Sequence, residues 1–112
     1  MLKKSQIKGK VGEYLALIML ITKGYRPILM NDKKGRVEAD IIAIRGKSAV
    51  LVEVKWRQSK EKGHWAVQPG QQKRLLRKLK MLSSHYPYLE ARVDLVLIYP
   101  SPPFIEHIKN AF

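Results

Sequence analysis

The 112-residue chain carries 22 Lys and Arg against 9 Asp and Glu, a formal net charge of +13, with 46% apolar residues and no cysteine. Such a length and composition suit one globular domain, expected over residues 1–112, and exclude a disulfide scaffold or a thiolate zinc site. The charge favours a polyanionic partner, either nucleic acid or an anionic membrane surface, and the lack of cysteine fits a cytoplasmic setting.

The pattern from about Leu2 to Thr22 is helical, with Val11, Leu15, Ile18 and Ile21 on one stripe and further apolar residues at Leu17 and Leu20. Its run YLALIMLI follows a basic segment, as in a secretion signal, but no small-residue cleavage site follows it. The run also falls short of the ~20 residues that span a bilayer, so it reads as a buried helix and no membrane partner is expected. Gly24 ends the helix. Tyr25 to Met30 reads as a first strand, NDKKG as a turn, and Val37 to Ile44 and Ser48 to Trp56 as two more strands joined across Arg45-Gly46-Lys47-Ser48.

RQSKEKGHWAVQ, residues 57 to 68, reads as a polar loop. Pro69 suits the first position of a helix in which Leu75, Leu76, Leu79 and Leu82 recur at helical spacing until about His85. The other face of that helix carries Lys73, Arg74, Arg77, Lys78 and Lys80. Arg92 to Tyr99 is a last strand, and Phe104 to Phe112 a short apolar ending of no assigned type. The expected order is αβββαβ. His64, His85 and His107 are too scattered for a local zinc motif.

Three acids interrupt the two middle strands. If Gly46 and Lys47 form a two-residue type II′ turn, paired residues have numbers summing to 93, so Asp40 faces Glu53 and Glu38 faces Lys55. Strand alternation then gathers all four side chains on one face. Two carboxylates directly opposite, with Cβ atoms ~5 Å apart, destabilise the pairing unless a proton or a cation lies between them. Two readings follow. One is an ion pair of Lys55 with Glu38 or Glu53 that supports the fold. The other is a divalent cation, and ligands that offer only oxygen point to Mg²⁺ or Mn²⁺ rather than zinc.

Asp40 followed after twelve residues by Glu53-Val54-Lys55 resembles the PD-(D/E)XK signature of restriction-endonuclease-like nucleases. The flanking stretches GEYLALIMLITKGYRPILMND, VEADIIAIRG, VLVEVKWR, ARVDLVLIY and IEHIKNAF together resemble the YraN-like family of small bacterial proteins, uncharacterised predicted endonucleases, over nearly the whole chain. That family is similar in its core to archaeal Holliday-junction resolvases. The resemblance implies an α/β, restriction-endonuclease-like fold with a mixed β-sheet flanked by helices.

The same resemblance implies metal-ligand roles for Asp40 and Glu53 and a catalytic role for Lys55. Glu13, beside Gly12, matches an acid that related nucleases direct at the metal; its place in the helix alone suggests a solvent-facing residue. Glu38 matches the acid of the family's Gly-Glu-Ile-Asp segment, which here is Val37-Glu38-Ala39-Asp40 and lacks the glycine.

The expected activity is metal-dependent hydrolysis of phosphodiester bonds in nucleic acid, most readily branched or single-stranded DNA, with Mg²⁺ or Mn²⁺ as cofactor. Asp40 and Glu53 would hold the metal, with Glu13 or Glu38 completing its shell, and Lys55 would orient water or offset charge on the phosphate. Arg57, Lys60 and Lys62, together with Lys73, Arg74, Arg77, Lys78 and Lys80, would hold the phosphate backbone without reading bases. Gln72 would donate to a phosphate or merely face water, and Trp65 would stack on an unpaired base or cover the core. The alternative is a nucleic-acid-binding module without activity. The apolar first helix could also serve as a homodimer face.

Overall fold

The stretch AVLVEVK, residues 49 to 55, becomes the centre of the sheet. The computed structural model describes the backbone of residues 4–32, 38–57 and 69–111, with the side chains of 11–30, 41–57, 70 and 72–111. Strand β3 (Ser48–Trp56) is buried at every position between its two ends, as a strand covered on both faces must be. It pairs antiparallel with β2 (Glu38–Arg45) and parallel with β4 (Glu90–Ile98). Strands β1 (Arg26–Asp32) and β5 (Ile105–Ile108) close the two edges, both antiparallel, giving the order β1-β2-β3-β4-β5. Helices α1 (Lys4–Thr22) and α2 (Pro69–His85) flank this sheet. The result is a mixed α/β architecture consistent with a restriction-endonuclease-like fold.

The element order is αβββαββ, one strand more than expected, because the ending that showed no clear period supplies β5. Its four residues include Glu106 and His107, and pairing with Leu95 to Ile98 rather than intrinsic propensity makes them a strand. Strand β1 also runs past Met30 through Asn31 and Asp32, which pair with Asp40 and Ala39, so the first two residues of the expected NDKKG turn are strand, and Lys33 to Gly35 lie outside the described residues. Pro27 stands at a register irregularity of this edge strand, a place where a sheet tolerates proline.

Alternation along β3 sorts the core into two layers. Val50, Val52 and Val54 join Ile41, Ala43, Val96 and Ile98 beneath Ala16 and Leu20 of α1. Ala49 and Leu51 join Val93 beneath Leu75 and Leu82 of α2. The two helices therefore lie on opposite faces, and the odd-numbered residues of β3, Glu53 and Lys55 among them, belong to the α2 face.

The first helix sits with a different side to the sheet than its hydrophobic stripe suggests. Val11, Leu15, Ile18 and Ile21 are all exposed, whereas Gly12, Glu13, Ala16 and Leu20 are buried. Small residues decide this. A Cβ at Gly12 would stand 2.7 Å from Trp56 Nε1, so glycine is what lets the helix settle on the end of β3. The helix ends in a Schellman motif: Gly24 has φ +89°, Tyr25 N–H donates to Leu20 O at 2.9 Å, and Gly24 N–H donates to Ile21 O at 3.0 Å. The accompanying apolar contact is between Leu20 and Tyr25, both buried in the same cluster.

On the α1 face a second buried acid, Asp94 in β4, ties the C-terminal segment down. Arg92 donates to it twice, Nε to Oδ1 at 2.8 Å and Nη2 to Oδ2 at 3.1 Å. The backbone N–H of Asn110 donates to Oδ1 at 2.9 Å, and His107 Nε2 lies 2.7 Å from Oδ2. Lys23 Nζ donates to the other ring nitrogen of His107 at 3.0 Å, which leaves the Nε2 proton for Asp94. Burial by itself would raise the Asp94 carboxyl, but the hydrogen bonds from His107, Arg92 and Asn110 and the charge of Arg92 outweigh it and hold the group at about 2, against an ordinary 3.8.

A carboxylate depressed in the folded state stabilises above its ordinary pKa, and that contribution fades as pH falls from about 3.8 toward 2. At neutral pH Asp94→Asn should cost about 2 kcal/mol and should flatten this acid limb. Urea unfolding of both proteins between pH 2 and 6 checks it: an equally steep limb in the variant would show that Asp94 is not its source.

Candidate functional site

The hairpin between β2 and β3 fixes the geometry of the candidate site. Gly46 adopts φ +56° while Lys47 stays at negative φ, the pattern of a type II′ turn, and Arg45 pairs with Ser48. The expected register follows along the whole ladder: Asp40 is the Cα partner of Glu53, and Glu38 of Lys55. The side chains of Glu38 and Asp40 lie outside the described residues, so the ladder places their backbone only.

The other half of the rung is fully described. Glu53 and Lys55 are completely buried, and Lys55 is among the largest fully buried side chains of the described residues. Lys55 Nζ stands 3.8 Å from Glu53 Oε1, an ion pair too long for a strong hydrogen bond. Arg74 reaches in from α2 and donates Nη2 to the same oxygen at 3.1 Å. Apolar residues of α2 explain why an arginine arrives there. Leu75 and Leu82 bind the helix to the α2 face of the sheet, and Arg74, one residue before Leu75, is carried to the level of Glu53 with its side chain 30% exposed. The guanidinium thus bridges from the buried acid to solvent.

Burying these charges is costly unless each is paired. Here two cations meet one described carboxylate, and the ladder sets the backbones of two further acids, Asp40 and Glu38, directly opposite Glu53 and Lys55. Among the described residues, no three His, Asp or Glu side chains come together. The donors the rung can offer are carboxylate oxygens with no sulfur or imidazole, and this set fits Mg²⁺ or Mn²⁺.

The remaining candidate residues are distributed unevenly. Lys73, Arg77, Lys80 and Gln72 are exposed along α2, and Lys78 is half-buried on it. Arg57, half-buried at the end of β3, turns Nη1 onto the carbonyl of Trp56 at 2.7 Å. Lys60, Lys62 and Trp65 lie outside the described residues. Glu13 is buried, contrary to the solvent-facing position its pattern alone suggests, and it shares the sheet-facing stripe of α1 with Ala16 and Leu20. That stripe packs on the face opposite Glu53 and Lys55.

Two features were not anticipated. Arg74 was grouped with the phosphate-facing residues but pairs with Glu53, and only the docking of α2 reveals that contact. The Asp94 cluster had a signal in ARVDLVLIY, where an acid interrupts a buried strand just as Glu53 interrupts β3. Arg92, two residues before Asp94 on the same strand, is a partner that the spacing could have suggested, whereas His107 and Asn110 come from the C-terminal segment and are not announced by it.

Known proteins are similar to most of this chain. The profile of Uncharacterised protein family UPF0102, the family of YraN-like proteins, matches residues 12–98 and so takes in α1 through β4. A UPF0102 protein of Chlorobium phaeobacteroides is 39% identical over 116 aligned residues, covering 93% of this chain and 92% of its own. One from Thermodesulfovibrio yellowstonii is 38% identical over 93% of this chain and 94% of its own, and one from Parvibaculum lavamentivorans is 38% identical over 82% and 71%. With the profile spanning the helix, the hairpin and the parallel strand that build the site, the chain belongs to Uncharacterised protein family UPF0102.

Proposed function

We propose that this protein is a metal-dependent endonuclease that hydrolyses phosphodiester bonds in nucleic acid, with branched or single-stranded DNA as its preferred substrate. The observation that carries the reading is the rung itself: Asp40 opposite Glu53 in the ladder, Lys55 two residues further on the same face, and the basic helix α2 against that face. Carboxylates repel phosphate, so their place beside a cationic helix makes sense where a cation joins the two.

Asp40 and Glu53 would hold Mg²⁺ or Mn²⁺, with Glu38 from the neighbouring rung. When bound, the ion supplies a Lewis acid for the phosphate and activates water. Lys55, buried beside Glu53, would set its amine where the phosphate gathers negative charge in the transition state. Arg74 neutralises Glu53 in the absence of substrate, and its partial exposure lets it meet an incoming phosphate. The exposed Lys73, Arg77 and Lys80 hold the backbone of the nucleic acid by charge alone.

One observation favours a second reading. Glu53 already has Lys55 and Arg74 beside it, so the buried cluster also suits a binding module in which the ion pairs serve the fold.

The decisive test incubates labelled four-way junction, duplex and single-stranded DNA, and RNA, in Mg²⁺ or Mn²⁺. Metal-dependent cuts are expected, lost in Asp40→Ala/Glu53→Ala and slowed about 100-fold or more in Lys55→Ala. Calorimetric Mn²⁺ binding that is unchanged in the double variant, with no cleavage of any substrate, would leave the binding module. Independently, replacing both Arg77 and Lys80 by alanine should lower the slope of log K against log salt by about 2 without changing sequence preference. An unchanged slope would remove α2 from the interface.

A further inference from the structure

The α2 face holds an apolar groove one step along the sheet from the acidic rung. Its floor is Ile42 and Leu51, Cα partners on adjacent strands, each two residues from Asp40 and Glu53 on the same face. That spacing is about 7 Å. One wall is the edge strand, with Leu29, and the other is the end of α2 and the turn after it, with Met81 and Tyr86. Lys78 stands at the rim, and the rings of His85 and Tyr86 meet edge to face with centroids 4.8 Å apart. The groove arises because α2 covers β3 and β4 and, among the described residues, no helix covers the β1–β2 side of that face. Its volume, about 480 Å³, lies in the range of about 300–1,000 Å³ usual for small-molecule sites.

We propose that this groove receives one unpaired base of the nucleic-acid strand whose phosphate lies at the Asp40–Glu53 rung. The inference rests on the endonuclease reading and names what that site selects. Charge chooses the occupant. Arg77 and Lys80 line the outer surface beside Met81 and His85, so a strand held by α2 runs along the rim of the groove with its phosphates on the lysines. The groove then faces the bases. A base stacked in a duplex cannot enter a slot between a helix and a strand edge, whereas a bulged, gapped or junction base can stack on the Tyr86 ring. The apolar lining offers little hydrogen-bond readout, so selection is for an unpaired base and is tolerant of which one.

The test is binding in EDTA, where no cleavage occurs and the nuclease chemistry is not read. Three DNAs of equal length are titrated: one with a single bulged 2-aminopurine, one with an abasic site at the bulge, and one fully paired. The bulged base should bind about tenfold tighter than the abasic bulge, and its fluorescence should change on binding. Tyr86→Ala should bring the two bulges to equal affinity. So should Met81→Gln, a side chain 71% exposed whose replacement leaves the core intact. Neither variant should alter affinity for the paired duplex. Equal affinity of the unaltered protein for base and abasic bulges overturns the proposal, as does a preference that survives both variants. Sedimentation as a dimer that Met81→Gln dissociates would give the groove to a second copy and also overturn it. Failure of the endonuclease reading looks different: metal-dependent cleavage is absent while the bulge preference stands.

Discussion

The structure turns on the presence of Glu53 and Lys55 in the strand that both layers of the core enclose. A central strand gains its stability from apolar contacts on both faces, and two ionised groups there forfeit part of that gain. Their burial is tolerable only because they face each other and because Arg74 adds a second cation from α2. The docking of α2 through Leu75 and Leu82 thus serves packing and charge together.

Asp94 makes a parallel case on the other face. It too is fully buried in a central strand, but its partners satisfy it differently. Arg92 forms a two-point bridge, a backbone N–H and an imidazole fill the remaining acceptor sites, and the charge stays fixed over the whole physiological range. Arg92 also donates to the Tyr25 hydroxyl at 2.6 Å, so the cluster links the end of α1, the sheet and the C-terminal segment. A fully hydrogen-bonded buried network of this kind rigidifies. The Glu53 cluster reaches solvent through Arg74, whose side chain is 30% exposed.

The division of charge between the two faces also organises the surface. The α2 side joins a buried acid, a cationic helix and an apolar groove within a few residues along β2 and β3. The α1 side instead presents Val11, Tyr14, Leu15, Ile18 and Ile21 to solvent, an apolar stripe that its buried Gly12 and Ala16 leave facing outward. No helix of the described residues is long and apolar enough to cross a membrane.

The sequence by itself determined the ladder. Two residues able to make a tight turn, set between two apolar runs, yield the register from Arg45–Ser48 to Glu38–Lys55 when they form a two-residue loop, and the structure has that loop. It also determined both helices and the family, whose resemblance rests on stretches spread along nearly the whole chain. Tertiary structure decided the rest. Which side of α1 faces inward depended on how closely Gly12 could approach Trp56, and the apolar period could not show this in a helix that is apolar nearly all round. The fifth strand existed only once β4 offered an edge. Arg74 became a partner of Glu53, and Asp94 of His107, through contacts between segments far apart in the chain. Local pattern encodes period and turn; it carries no record of which distant cation will come to rest against a buried acid.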